Sequence, residues 1–180
     1  MALYETITDL NAGADALRRR RYGVIEVADG RFRHVRLRPV PKIVLAPEIL
    51  LLGQAYHRFR RGDRILLYYN QPRRSSNYLA LKYAVSSRQT SMGTVCRALA
   101  VLDEIARLKR SDALLCDVGN WRISRALLAR CGWVPHCPSR WHRHYIKRFY
   151  GTYPPRPAWI EAADGRGGLD APLAASPETR

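Results

Sequence analysis

The chain has 180 residues, of which 47% are hydrophobic, so we expect a single domain with a sizeable core. Its 31 lysines and arginines against 15 acidic residues give a formal net charge of +16 at pH 7. Such an excess favours polyanionic partners such as RNA, although an arginine-rich proteome would produce it as well. No segment approaches the ~20 apolar residues of a membrane-spanning helix, which excludes an integral helical membrane protein.

The first residues and the cysteines indicate a cytoplasmic protein. The start, Met-Ala-Leu-Tyr-Glu-Thr, lacks the basic region and apolar run of a secretory signal. Cys96, Cys116, Cys131 and Cys137 follow no disulfide-framework spacing, which predicts free thiols in a reducing compartment. Cys96 and Cys116 fall in a predicted helix and a predicted strand, where we expect them to be core residues.

Residues 1–40 are predicted to form an N-terminal extension that begins with a short helix. Apolar residues recur at helical spacing from Thr6 to about Leu17. Four adjacent arginines follow at positions 18–21. Such a run is usually a solvated surface, and a contact with RNA or a membrane is the alternative.

A β-hairpin is predicted next. Asp29-Gly30 is a strong two-residue turn signal, and it separates Tyr22–Val27 from Arg31–Arg38. The apolar pattern of the second arm changes phase after Phe32, which predicts a bulge or a later strand start.

Further elements are predicted before the centre of the chain. Lys42–Leu45 has the composition of a short strand, and Pro47 opens a helix that reaches about Phe59. Arg64–Tyr69 is typical of a buried strand. The polar turn Asn70–Asn77 then leads into the most informative part of the sequence.

The block from Tyr78 to Val134 alternates strands and helices. Its first strand, Tyr78–Val85, is predicted from large apolar residues at alternate positions on one face: Leu79, Leu81, Tyr83 and Val85. A polar turn at 86–94 precedes a long helix from Val95 to about Lys109-Arg110. Asp112–Val118 is almost entirely apolar, as expected of a strand that is covered on both faces.

The block closes with a second helix and two more strands. Asn120 is its predicted N-cap, and Gly132 its left-handed C-terminal cap. Trp133-Val134 resumes a strand, and Trp141–Tyr150 is predicted to complete the sheet. The fold class expected from this order is α/β (α+β) with a mixed central sheet.

One domain is expected over residues 1–159. The composition changes after Gly151 to proline, glycine and alanine, and we predict a disordered tail over 160–180.

The order strand, polar turn, long helix, strand, helix and two strands resembles the core of the GNAT superfamily of acyl-CoA-dependent N-acyltransferases. Family members hold the pyrophosphate of coenzyme A on backbone N–H groups of an Arg/Gln-x-x-Gly-x-Gly/Ala turn. Unpaired N–H donors at the positive end of a helix dipole make an anion site. The matching residues here are Arg88-x-x-Ser91-x-Gly93, and a frame shifted by two gives Thr90-x-x-Gly93-x-Val95.

The resemblance implies acetyl-CoA or another acyl-CoA as co-substrate, an amine as acceptor, and a set of cofactor-binding residues. That set consists of Arg88, Gln89, Ser91, Met92, Gly93, Thr94 and Asn120. The amides of Met92–Thr94 would face the pyrophosphate, which Arg88 or Gln89 would help to neutralise. Asn120 would approach the pantetheine arm, unless it is only a helix cap.

The catalytic groups are not assigned by the resemblance. Many family enzymes place a tyrosine in the second helix as general acid, and Leu128, or Leu127 in a shifted frame, stands there and cannot donate a proton. The residues alone offer Asp117, His136 and His142 as candidate bases.

Two other patterns lie near the C-terminal end. Five potential metal ligands lie close together in the sequence: Cys131, His136, Cys137, His142 and His144. Their spacing matches no known zinc-ligand pattern, so no metal is expected. Trp141–Tyr150 interleaves aromatic and basic residues, a composition that holds single-stranded nucleic acid. The alternative function is therefore a non-catalytic basic module on the same fold that binds nucleic acid or a ribonucleoprotein.

Overall fold

The computed structural model describes residues 4–41, 62–118, 125–137 and 143–161. These ranges contain one eight-stranded sheet and four helices. In chain order the elements are β1 (Glu5–Ile7), α1 (Ala14–Arg19), β2 (Tyr22–Ala28), β3 (Arg31–Arg38), β4 (Arg64–Asn70), β5 (Tyr78–Ser86), α2 (Met92–Leu108), β6 (Ala113–Asp117), α3 (Arg125–Arg130), β7 (Val134–Pro135), β8 (His144–Arg148) and α4 (Ala158–Glu161).

The sheet is mixed, with the spatial order β1-β3-β2-β4-β5-β6-β8-β7. Strands β5 and β6 pair in parallel, and the other neighbouring pairs are antiparallel. A parallel pair needs a crossover connection, which α2 supplies. From β5 to β8 the chain follows the predicted order of strand, helix, strand, helix and two strands. The predicted fold class, a mixed central sheet with a strand-helix-strand-helix-strand-strand core, is thus confirmed.

The core lies between the sheet and the layer of α1 and α2. Helix α2 contributes fully buried apolar residues at helical spacing: Ala98, Val101, Leu102 and Ile105. Alternate residues of β2, such as Ile25 and Val27, are also fully buried in this core. Burying a large aliphatic side chain contributes roughly 1.5–3 kcal/mol, so this layer is the main source of stability.

The predicted hairpin is confirmed, with β2 and β3 as its arms. Asp29 and Gly30 have φ values of 54° and 65°, the left-handed conformation that a two-residue hairpin turn requires. The register shifts between Glu26 and Val27, so that Arg33 is an extra residue in β3. The predicted phase change is therefore a β-bulge.

The helix predicted from Thr6 to Leu17 is wrong in its first half. Glu5–Ile7 forms an edge strand paired with β3, and the helix begins only at Ala14. The Asp9 carboxylate accepts hydrogen bonds from the backbone N–H groups of Asn11 and Ala12, at 2.8 and 3.2 Å, and so stabilises a turn between the strand and the helix.

Two further details differ from the prediction. Helix α2 begins at Met92 instead of Val95, because Ser91 caps it, so Met92–Thr94 belong to the helix and not to the preceding turn. Cys96 is exposed, since it lies on the outer side of α2, whereas Cys116 is buried as expected.

Several predictions fall outside the described residues. These are the strand at Lys42–Leu45, the helix at Pro47–Phe59, the cap at Asn120, and residues 162–180. Ile160 in α4 is buried, so the packed chain reaches at least Glu161. No helix in the described ranges is long and apolar enough to span a membrane.

Candidate active site

The parallel pairing of strands β5 and β6 ends before the carboxyl end of β5. Their parallel pairing runs from Tyr78 with Ala113 to Leu81 with Cys116. Beyond this point β5 remains paired with β4, and β6 remains paired with β8. Residues 82–86 of β5 therefore extend beyond the part of the strand that pairs with β6, and we call the space beside them, up to the end of β6, the wedge.

A β-bulge marks the point where the wedge begins. On its other edge β5 pairs Leu81 with Tyr69 but Tyr83 with Tyr68, so Lys82 is an extra residue. A bulge bends its strand, increases the local twist and re-aims the neighbouring groups. Lys82 directly follows the last residue paired with β6, so the bulge lies at the point where that pairing ends.

The bulge corrects the prediction that the large residues of Tyr78–Val85 share one face. Residues directly opposite each other in neighbouring strands share a face of the sheet. Leu81 lies opposite the fully buried Tyr69, and Tyr83 lies opposite Tyr68, with ring centroids 6.0 Å apart. Leu81 thus faces the α2 layer, and Tyr83 faces the other side.

The turn between β5 and α2 is fastened to the start of β4. The Ser87 hydroxyl donates to the Gly62 carbonyl and accepts from the Arg64 N–H at 3.0 Å. The Thr90 hydroxyl donates to the Arg64 carbonyl at 2.9 Å. These bonds hold the N-terminal end of α2 beside the carboxyl end of β5, at the open side of the wedge.

An acidic side chain from outside the helix, Asp63, contacts the N-terminal end of α2. The Asp63 carboxylate accepts from the Ser91 N–H at 2.8 Å, from the Ser91 hydroxyl at 2.7 Å and from the Thr94 hydroxyl at 2.6 Å. Burial acts to raise the pKa of Asp63, but the hydrogen bonds from Thr94 and Ser91 bring that pKa below its usual value. An anion at this end is favourable because the helix dipole is positive there.

Asp63 is the site residue that sequence reasoning missed. It lies 28 positions before Ser91, and no local spacing connects the two. The one sequence feature that could have indicated it is its position immediately before β4, the strand that pairs with β5.

The turn brings six of the seven predicted cofactor-binding residues together, and Asn120 lies outside the described residues. Arg88, Gln89, Ser91 and Met92 are exposed, and Gly93 is half-buried. The Gln89 side-chain oxygen accepts from the Gly62 N–H at 3.2 Å. Thr94 is fully buried, and its N–H donates to the Ser91 hydroxyl at 3.2 Å.

Two titratable side chains meet at the carboxyl end of β6. Asp117 Oδ1 and His144 Nδ1 are 3.9 Å apart, with 48% and 39% of the side chains exposed. Carboxylates and imidazoles are the side chains that most often serve as general bases. Leu128 is buried in the core and offers no acid.

The other candidate bases and ligands are placed as follows. His136 Nε2 lies 3.4 Å from Cys137 Sγ, and its backbone N–H donates to the His144 carbonyl at 2.9 Å. His142 lies outside the described residues. Among the residues that the structure describes, no three potential metal ligands come together.

The structure is similar to the crystal structure of nourseothricin acetyltransferase. The two chains share 12% sequence identity with a TM-score of 0.38, and the alignment covers 82% of this chain and 99% of that chain. No protein-family model matches the sequence, and no curated protein matches it.

Proposed function

We propose that the protein is an acyl-CoA-dependent N-acyltransferase of the GNAT type. The observation that carries the proposal is the end of the β5–β6 pairing at the Lys82 bulge, beside the N-terminal end of α2. An extended chain with amide groups can lie in the wedge and hydrogen-bond to the strand edges, as peptides do when they add to a sheet. The pantetheine arm of coenzyme A is such a chain.

The pyrophosphate would lie at the N-terminal end of α2. The N–H groups of Met92 and Gly93 belong to the first turn of this helix, which favours a bound anion. Arg88 is exposed in the adjoining turn and supplies positive charge. The Asp63 carboxylate lies at the same end and repels phosphate, so Arg88 has to offset two anionic groups.

The chemistry is direct transfer. The nitrogen of the acceptor amine attacks the thioester carbonyl, a C–N bond forms, and the C–S bond breaks with release of the CoA thiolate. A backbone N–H at the Lys82 bulge polarises the carbonyl oxygen. The Asp117–His144 pair accepts the proton of the amine, and the thiolate takes a proton from water, because Leu128 has none to give.

The acceptor is an amine. The net charge of +16 favours an acidic acceptor, including an amine carried on RNA. The alternative, a non-catalytic basic module that binds RNA or another polyanion, predicts no response to acyl-CoA.

The test is thermal unfolding with acetyl-CoA and with CoA. Binding to the native state alone stabilises it by about 2.7 kcal/mol at a ligand concentration 100 times the dissociation constant, so the melting temperature should rise by several degrees. Gly93→Glu should abolish this rise, because the added carboxylate repels the pyrophosphate. Without ligand this variant should melt no lower than the wild type, since an acidic residue suits the first turn of a helix.

Two further variants sharpen the experiment. Asp63→Asn should melt lower without ligand, because a helix cap worth about 1 kcal/mol is weakened, yet bind acetyl-CoA more tightly. Thr152→Glu adds the same charge as Gly93→Glu at an exposed loop position and should leave the response unchanged. The proposal is contradicted if the wild type is folded and its melting temperature does not change with either acetyl-CoA or CoA.

A further inference from the structure

Basic side chains from three separate segments meet at the end of the molecule opposite the N-terminal end of α2. We call this surface the basic pole. It comprises Arg18–Arg21 at the end of α1, Arg73 and Arg74 in the β4–β5 turn, and Arg107, Lys109 and Arg110 at the end of α2. With 17 residues, α2 holds the pole about 25 Å from the wedge end of the molecule.

Lys109 joins these segments. Its Nζ donates to the carbonyl oxygens of Arg20 and Arg18 at 2.6 and 3.4 Å and to the side-chain oxygen of Gln71 at 3.1 Å. The Gln71 N–H in turn donates to the Arg21 carbonyl at 2.8 Å. The arginine run that the sequence displays is therefore packed against the end of α2 and the start of the β4–β5 turn.

The pole encloses a cleft of about 650 Å³. Four of the six lining residues are cationic, and the lining consists of Arg18, Gln71, Arg107, Leu108, Lys109 and Arg110. Asp15 pairs with Arg18 and Glu104 with Arg107. No ion pair with a described acidic residue neutralises Arg19, Arg20, Arg73, Arg74 or Arg110.

The lysine in the cleft has a lowered pKa. Burial, together with the positive charge of Arg21, lowers the pKa of Lys109 to about 8. An anion bound in the cleft would raise the pKa of Lys109 again, because it would favour the charged form of the lysine.

Arg110 occupies a backbone conformation that suits glycine better. Its φ is 53°, in the left-handed region that costs a residue with a side chain roughly 1–2 kcal/mol. The N–H groups of Ser111 and Arg110 donate to the carbonyls of Ala106 and Arg107, so this is the left-handed position that ends α2, where glycine is usual.

An exposed aromatic ring lies at the same end of the sheet. Tyr150 is 70% exposed, and its N–H donates to the carbonyl of Asp112, two residues after Arg110 in the chain. Bases of single-stranded nucleic acid stack on such rings, each stack being worth about 1–3 kcal/mol.

We propose that the basic pole binds the phosphate backbone of single-stranded nucleic acid, with Tyr150 as a stacking platform. Four cations line an open cleft, and further arginines lie in the adjoining segments, a spread of charge that fits a row of phosphates better than one small anion. This activity does not depend on the proposed acyl transfer, because its residues lie at the other end of α2.

The test is fluorescence anisotropy of the full chain with a short labelled single-stranded RNA, and with DNA of the same sequence, over a range of NaCl concentrations. We expect binding of either polymer with a steep linear fall of log K against log salt. Arg73→Ala with Arg74→Ala should weaken binding about tenfold and reduce the slope by about 1.4, since each phosphate contact contributes about 0.7 for single strands.

Three further variants separate the proposal from a general effect of charge. Arg33→Ala with Arg36→Ala removes the same charge from exposed positions on β3 and should leave affinity and slope near those of the wild type. Tyr150→Ala should weaken binding without changing the slope, because the ring carries no charge. Arg110→Gly should raise the melting temperature and weaken binding.

Three results would overturn the proposal. They are the absence of binding by the wild type, an equal loss in the β3 control variant, and tighter capture of the protein by vesicles of anionic phospholipid than by either polymer. All these variants should keep the response to acetyl-CoA, so the outcome is independent of the outcome for the wedge.

Discussion

Tyr69 illustrates what a single residue needs from the rest of the chain. The sequence predicts a buried strand at Arg64–Tyr69, and Tyr69 is indeed fully buried. Its hydroxyl has no hydrogen-bond partner among the described residues, and burial raises its pKa. A Cβ at Gly23, in the neighbouring strand β2, would lie 2.6 Å from this hydroxyl oxygen. Strand periodicity predicts the burial, but it cannot reveal that the ring needs a glycine in another strand.

Replacing Tyr69 by phenylalanine should therefore stabilise the protein. Leaving a buried polar group without a partner costs about 1–3 kcal/mol, so Tyr69→Phe should raise the free energy of unfolding by about 1 kcal/mol. Chemical denaturation at neutral pH measures the change. Gly23→Ala is the comparison, and it should lower stability by about 1–3 kcal/mol because the added methyl group collides with the ring. A loss of stability in Tyr69→Phe would mean that the hydroxyl has a favourable partner.

At the scale of elements, those with a strong local pattern could be predicted from the sequence. The apolar spacing of α2, the continuous apolar run of β6 and the Asp29-Gly30 hairpin turn all appear where their patterns place them. The wedge could not be predicted, because a bulge is defined by which residue of β4 lies opposite each residue of β5. The Asp63 cap is missed for a similar reason, since only pairing of β4 with β5 brings it to α2.

The C-terminal segment is attached to α2 by a buried ion-pair cluster around Glu104. The Glu104 side chain is 3% exposed and accepts from Arg107 and, at 2.7 Å, from Arg156. Arg156 also donates to the Asn11 side-chain oxygen, so this arginine joins the C-terminal segment to α2 and to the turn before α1. Burial acts to raise the pKa of Glu104, but the hydrogen bonds and charges of Arg107 and Arg156 bring it below its usual value.

Neutralising this carboxylate should destabilise the fold strongly. Breaking a buried pair typically costs 3–5 kcal/mol, and we expect a loss of about 3 kcal/mol for Glu104→Gln. Asp15→Asn removes the same charge from the exposed helical pair with Arg18 and should cost less than about 1 kcal/mol.

The same cluster predicts a dependence on pH. Because the folded-state pKa of Glu104 lies below the unfolded value, its contribution is complete above the unfolded pKa and is lost as the pH falls through the folded one. The free energy of unfolding of the wild type should therefore fall in acid, and that of Glu104→Gln should fall less. Parallel curves for the two proteins would contradict this role for Glu104.

At the scale of the whole molecule, the sequence reveals the amount of charge but not its distribution over the surface. The excess of +16 and the run at 18–21 can be read directly. The meeting of this run with Arg73, Arg74 and Lys109 depends on the tertiary fold, because those segments are far apart in the chain. Composition therefore predicts the sign of the partner's charge. The arrangement of α1, α2 and the β4–β5 turn determines which surface such a partner would contact.

Repulsion within this charge distribution should make stability depend on salt. The Debye length falls from about 30 Å at 0.01 M to about 10 Å at 0.1 M ionic strength, so repulsion across the molecule is screened over this range. We expect the melting temperature to rise by several degrees as NaCl increases between these concentrations. Arg73→Ala with Arg74→Ala should show a smaller rise, because part of the repulsion at the pole is already removed.

The choice of salt distinguishes screening from anion binding. Sodium sulfate and sodium chloride at equal ionic strength should have the same effect if screening alone acts, whereas occupation of the cleft by sulfate should raise the melting temperature further in the wild type than in the double variant. A melting temperature that falls with added salt would mean that attractive ion pairs, such as those of Glu104, outweigh the repulsion. The net charge would then be no guide to how this fold is stabilised.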